Sequence, residues 1–160
     1  MGLTMSRILI LEGNEQTRLS MHQCLEANGL YVASTNDHEH ALRLLYHFMP
    51  DLVVADWQAA NGAQLCLNIR AFHHYDHVPI LLTEYVLRQD SLAAGSCMKD
   101  YDDTPIKARL MSRYGCDEFW AKPGNLEVLI DKVAFLLAVS EQRAERRAEL
   151  RAEDSEPDEE

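Results

Sequence analysis

The chain has 160 residues, 47% hydrophobic and 26% charged, which suits one domain of ordinary size with its own core and excludes a wholly disordered protein. Fifteen Lys and Arg stand against 26 Asp and Glu, a formal charge of −11, so the clustered basic surface that nucleic acid requires is not expected. Cys24, Cys66, Cys97 and Cys116 are widely separated and form no Cys-x-x-Cys pair, which disfavours a zinc knuckle or a disulfide framework and suits reduced thiols in the cytoplasm.

The acidity is uneven, because residues 141–160 hold nine acids and four bases. No apolar run approaches membrane-spanning length, and residues 1–7 lack the long apolar core of a secretory signal. The expectation is a cytoplasmic protein with no membrane partner.

Short apolar runs alternate with helical stripes along the chain. Residues 8–11 read as a strand, followed by a helix with Leu19, Met21, Cys24 and Leu25, closed by Gly29. A second strand is expected over 30–33. Asn36 and Glu39 then resemble a capping box for a helix carrying Ala41, Leu44, Leu45 and Phe48, which Pro50 ends. Residues 52–55 are apolar at every position, as in a parallel strand covered on both faces. A helix with Leu65, Ile69 and Phe72 follows, then a strand at 80–82.

Thr104 and Pro105 are a helix start, with a stripe of Ile106, Leu110, Met111 and Tyr114 and a closing Gly115. The fifth strand is expected over 119–121. Asn125 caps the most regular helix, with Leu126, Leu129, Ile130, Val133, Leu136 and Leu137 on one face. That helix overruns the domain and ends near Asp154. The organisation expected is one domain over 1–139 and a charged helical extension with an acidic tail over 140–160.

Five strand–helix units imply an α/β fold: a five-stranded parallel sheet with helices on both faces and right-handed crossovers. Its site lies beyond the carboxyl ends of the strands. The residues there are Glu12, Asp56, Thr83 or Glu84, and Lys122, which supply two carboxylates, a hydroxyl or a third carboxylate, and an ammonium.

With these residues the chain resembles the receiver domain of two-component response regulators, from about Arg7 to Ala138. The matching segments are 8–12 (ILILE), 50–56 (PDLVVAD), 78–80 (VPI) and 115–123 (GCDEFWAKP). The resemblance implies a flavodoxin-like strand order of 2-1-3-4-5. It implies a stand-alone, non-enzymatic signalling module in which Asp56 accepts a phosphoryl group, with a phosphorylation-independent interaction module as the alternative. Lys122 and Thr83 would bind the phosphoryl group, and Glu12, Asp56 and the Gln58 carbonyl would hold Mg²⁺. Phe119 matches the family's switch aromatic. The implied partners are a sensor histidine kinase or phosphotransfer protein, a downstream protein on the face of the fourth helix, fifth strand and fifth helix, and in some assemblies a second copy.

Four departures from the family pattern stand out. Glu12-Gly13 replaces a pair of acids, which weakens the expected Mg²⁺ site, with Asn14 and Glu15 as further candidates to help. Counting from Pro79 places Glu84 in the hydroxyl position and Thr83 one place early. The loop after Asp56 is short and lacks a proline. Finally, Thr83 and Lys122 lie 39 positions apart, leaving an insert of about 85–103 with Asp100, Asp102 and Asp103 and room for a helix over 86–98; a long insertion beside a site is expected to be functional. His73, His74 and His77, like His38 and His40, read as polar surface rather than a metal cluster.

Overall fold

The structure, a computed structural model, describes residues 5–57, 61–72, 75, 77–85 and 104–155. Gln58, His73, His74 and most of the insert, with its expected helix over 86–98, lie outside the described residues.

Uninterrupted apolar runs form a central sheet because both of their faces can be covered. The elements in chain order are β1 (Arg7–Leu11), α1 (Glu15–Ala27), β2 (Tyr31–Thr35), α2 (His38–His47), β3 (Leu52–Asp56), α3 (Gly62–Ala71), β4 (Ile80–Tyr85), α4 (Thr104–Tyr114), β5 (Glu118–Lys122) and α5 (Leu126–Asp154). All strand pairs are parallel, in the expected order β2-β1-β3-β4-β5.

Strand alternation divides the core into two layers. Leu9, Leu11, Val53, Ala55, Ile80, Leu82 and Phe119 face α2, α3 and α4. Ile8, Ile10, Leu52, Val54, Leu81 and Trp120 face α1 and α5, where Met21, Leu25, Leu129, Val133 and Leu136 meet them. This alternation also decides which residues at the strand ends can meet.

Several helix boundaries follow the expected chemistry. Asn125 accepts a hydrogen bond from the Glu127 N–H at 2.8 Å, α4 starts at Thr104, and Gly29 and Gly115 close helices in the left-handed region at φ +83° and +73°. Four local expectations are corrected. The cap of α2 is Asp37, not Asn36: its carboxylate accepts from Glu39 and His40 N–H groups, while Asn36 is left outside the first turn. Leu19 is exposed, because it lies about 200° around α1 from Met21. Met111 is turned out beside the buried Leu110, and Phe72 is exposed just past α3, where the backbone becomes extended.

One carboxylate joins α4, β5 and α5. Glu118 is nearly buried and accepts from Lys107 Nζ at 3.0 Å, Lys132 Nζ at 3.1 Å and the Phe119 N–H at 3.0 Å. Burial alone would raise its pKa, but these bonds outweigh that cost and hold the carboxyl below the usual glutamate range. Its contribution is therefore present above the unfolded-state pKa and is lost as pH falls through the lower, folded-state value. Glu118→Gln should lower stability at neutral pH by about 1–2 kcal/mol. In urea unfolding, the gap between variant and parent should close as the pH drops below about 4.

Candidate functional site

The ends of β1, β3, β4 and the edge strand β5 each supply one polar group to the same side of the sheet. Glu12 shares the parity of Ile8 and Ile10, Asp56 that of Val54, Thr83 that of Leu81, and Lys122 that of Trp120, so all four point to the α1–α5 layer. The backbone register sets Asp56 beside Thr83 and Tyr85 beside Lys122.

The side chains complete the convergence. Lys122 is buried and donates to Asp56 Oδ2 at 2.8 Å and to Glu12 Oε2 at 2.5 Å. The other Glu12 oxygen accepts the Asn14 N–H at 3.0 Å. Asn14 does not turn its side chain to the cluster: its Oδ1 caps α1 by accepting from Thr17 N–H at 2.9 Å. Glu15 lies in the exposed first turn of α1.

Thr83 lies within β4, which extends three residues past the expected strand end. Its Oγ1 is buried, and no protein group partners it among the described residues. Glu84, the next residue, is on the opposite parity and partly buried. Burial raises its carboxyl pKa and Asp56 adds to the rise, while Arg109 and Lys122 pull it down. Thr83 thus supplies the hydroxyl in register with the aspartate, and Glu84 supplies negative charge nearby.

Two contributors escape a reading of strand ends alone. Tyr85 places its ring over Lys122 Nζ, 4.3 Å from the centroid, a cation–π contact. Its hydroxyl is hydrogen-bonded to Thr17 Oγ1 on α1. Its signal was available as an aromatic two residues beyond Thr83 on the same strand face. The other is Gly62 at the start of α3, where a Cβ would fall 1.9 Å from the Asp56 carbonyl oxygen. Only glycine lets this helix abut the aspartate's backbone.

Beside the cluster, Thr17, Leu19, Tyr85, Trp120, Lys122 and Pro123 line a cavity of about 410 Å³. Phe119 is not brought to the site. It is fully buried on the other face of the sheet with Leu110 and Cys116. Gln58, the expected carbonyl ligand, lies outside the described residues.

The donor set suits a hard cation. Glu12 and Asp56 are buried carboxylates that both contact the Lys122 ammonium, and carboxylate oxygens are the donors a hard cation takes. Mg²⁺ commonly uses one or two carboxylates and fills its remaining positions with water or phosphate oxygens. Glu12 and Asp56 meet that requirement, while Gly13 adds no further carboxylate. No larger cage of His, Cys, Asp or Glu forms among the described residues; His40 Nδ1, for example, is hydrogen-bonded to Thr35 Oγ1 at 2.9 Å. Cys24, Cys66 and Cys116 are free, and burial pushes the Cys66 and Cys116 thiols up to about 11 and about 12. Neither of those two is a ready nucleophile at neutral pH.

No family model matches the chain. It is 28% identical over 133 residues to the CAI-1 autoinducer sensor kinase/phosphatase CqsS of Vibrio cholerae, covering 80% of this chain and 17% of that protein. The chain therefore spans less than a fifth of this curated relative. The chemotaxis response regulator CheY4 of Vibrio cholerae superimposes with a TM-score of 0.67 at 19% identity, over 83% of this chain and 99% of that one. The signal receiver domain of a Syntrophus aciditrophicus signal transduction histidine kinase gives 0.65 at 23% identity, over 83% and 90% of the two chains. These likenesses establish the fold as that of response-regulator receiver domains. Among the described residues no helix is long and apolar enough to cross a membrane.

Removing the shared cation should expose how tightly the corner is coupled. Lys122→Ala leaves two buried carboxylates facing each other and is expected to cost about 3–5 kcal/mol in chemical denaturation. A loss below about 1 kcal/mol, the range of a surface ion pair, would contradict the burial of this cluster.

Proposed function

We propose that the chain is a receiver module of two-component signalling and accepts a phosphoryl group on Asp56. The observation that carries this reading is the convergence of Lys122, Asp56 and Glu12 at one rim of the sheet, with the Thr83 hydroxyl, unpartnered among the described residues, in register beside the aspartate. The donor would be a phosphohistidine on a sensor kinase or phosphotransfer protein.

In the transfer, an Asp56 carboxylate oxygen forms a bond to phosphorus as the phosphorus–nitrogen bond breaks and the donor imidazole leaves. A carboxylate approaches an anionic group only if the combined charge is neutralised. Lys122 is held against Asp56 for that role, and Thr83 Oγ1 can donate to a phosphoryl oxygen. Mg²⁺, when bound by Glu12 and Asp56, supplies electrostatic neutralisation of the acceptor and the phosphoryl oxygens. Residues 1–139 form the receiver in this reading and 140–160 a charged extension. Its setting is the cytoplasm and its role non-enzymatic, with Phe119 as switch aromatic and the α4–β5–α5 surface addressing a downstream protein.

A second reading, a phosphorylation-independent interaction module, is favoured by two specific features. Gly13 removes a carboxylate that the metal would use, and Glu84 places another negative group near Asp56, opposing a phosphoaspartate.

Acetyl phosphate with Mg²⁺ separates the two readings by intact mass. The first predicts a single phosphoryl adduct that requires Mg²⁺ and is absent from Asp56→Asn. No adduct at saturating Mg²⁺ would overturn it in favour of the second. Independently, Gly13→Asp should tighten Mg²⁺ binding by at least about tenfold in a fluorescence or calorimetric titration. No gain would contradict the assignment of the metal to Glu12 and Asp56.

A further inference from the structure

A serine, a histidine and a glutamate are joined by hydrogen bonds where α1 lies against β2. Ser34 on β2 shares the parity of Val32, so its side chain faces α1. There its Oγ is 2.8 Å from His22 Nδ1, and His22 Nε2 is 3.0 Å from Glu26 Oε1. A carboxylate only accepts, so the bond to Glu26 fixes the imidazole proton on Nε2. Nδ1 is then left to accept from the Ser34 hydroxyl. A base oriented by a carboxylate and hydrogen-bonded to a hydroxyl is the arrangement that activates a serine nucleophile.

The surroundings suit acyl transfer. β2 is an edge strand, and among the described residues no strand covers its outer side. Tyr31 donates its N–H to the Ser6 carbonyl, and the Thr35 carbonyl accepts from the Glu12 N–H, both at 3.0 Å. The odd-numbered residues of β2 therefore face β1, and the Ser34 N–H points to the open edge. A nucleophile's own N–H is one of the donors that stabilise the oxyanion in serine acyl transfer. Arg18 lies one turn before His22 on the same side of α1, and its Nη1 donates to the Glu12 carbonyl at 2.9 Å. That contact holds a guanidinium beside the end of β2, where it favours a donor whose leaving group is an anion. The His22 and Glu26 side chains are 25% and 54% exposed, so a reactant can reach the base.

We propose that Ser34 is an acylation site, its hydroxyl taking the acyl group of an acyl phosphate. Ser34 Oγ bonds to the acyl carbon, and the carbon–oxygen bond to phosphate breaks. The hydroxyl proton passes to His22 Nδ1 and from there to the departing phosphate, with no electron gained or lost. Glu26 is a positioning residue, because it acts through the imidazole. The product carries an ester in place of the hydroxyl, so Ser34 no longer donates to His22 and one tie between β2 and α1 is lost. The step is a single modification of the chain rather than turnover, and it does not involve Asp56.

Incubating the full chain with acetyl phosphate in the absence of Mg²⁺, followed by peptide mass spectrometry, maps the acetyl groups. Ser34 should be the hydroxyl acetylated fastest, and Ser34→Ala should lose that adduct. His22→Ala should slow Ser34 acetylation by about 100-fold or more, and free imidazole should restore part of the rate. Glu26→Gln should slow it at least about tenfold. Glu26→Asp should recover part of that loss, which a role in stability alone would not produce. Circular dichroism checks that each variant is folded; if His22→Ala is not, His22→Gln tests the same base. No acetyl group on Ser34, or one that forms equally fast without His22, would overturn the proposal. Asp56→Asn should be acetylated at Ser34 like the parent, so failure here is separate from failure of the phosphoryl-acceptor reading.

Discussion

One buried ammonium ties together the rim of the sheet. Lys122 must reach across β4 to touch carboxylates from β3 and β1, although neighbouring strands stand about 4.8 Å apart. That reach requires parallel strands ending at a common rim, a small side chain at position 83 beneath the lysine's path, and equal parity for Glu12, Asp56, Thr83 and Lys122. A one-residue slip of β5 would turn Lys122 to the other face and leave both acids buried without it.

This cluster is a poor source of stability. Desolvating three charges consumes much of what their attraction returns. The fold rests instead on the two apolar layers, where the central strands are buried on both faces. Glu118 and Arg70 perform the joining work at the periphery: Arg70 bonds Asp117 at 2.7 Å and the Val78 carbonyl at 2.7 Å, tying α3 to the starts of β4 and β5. Tyr85 lays its ring over Lys122 and is hydrogen-bonded to Thr17 on α1, so the cluster is also tied to the first helix.

Most of the architecture was legible because the central strands are apolar throughout and α5 keeps a strict helical period. The strand order and the convergence of Glu12, Asp56 and Lys122 followed from the family resemblance combined with the rule that parallel sheets place sites at the carboxyl ends. What could not be read depended on side-chain reach and local competition. The polar residues Thr83 and Glu84 conceal the true length of β4, because strand pairing, not hydropathy, carries it to Tyr85. Asp37 takes the cap of α2 from Asn36 through a carboxylate that satisfies two N–H groups. The need for Gly62 appears only once α3 is seen pressed against the Asp56 carbonyl.

In the proposed function, Asp56 and its neighbours form a pocket that receives a tetrahedral phosphoryl group. Beryllium fluoride, a non-covalent mimic of that group, tests this directly by fluorine NMR. Bound fluorine resonances that require Mg²⁺ and disappear in Asp56→Asn are the predicted result. A spectrum showing only free fluoride species at saturating Mg²⁺ and millimolar protein would contradict it.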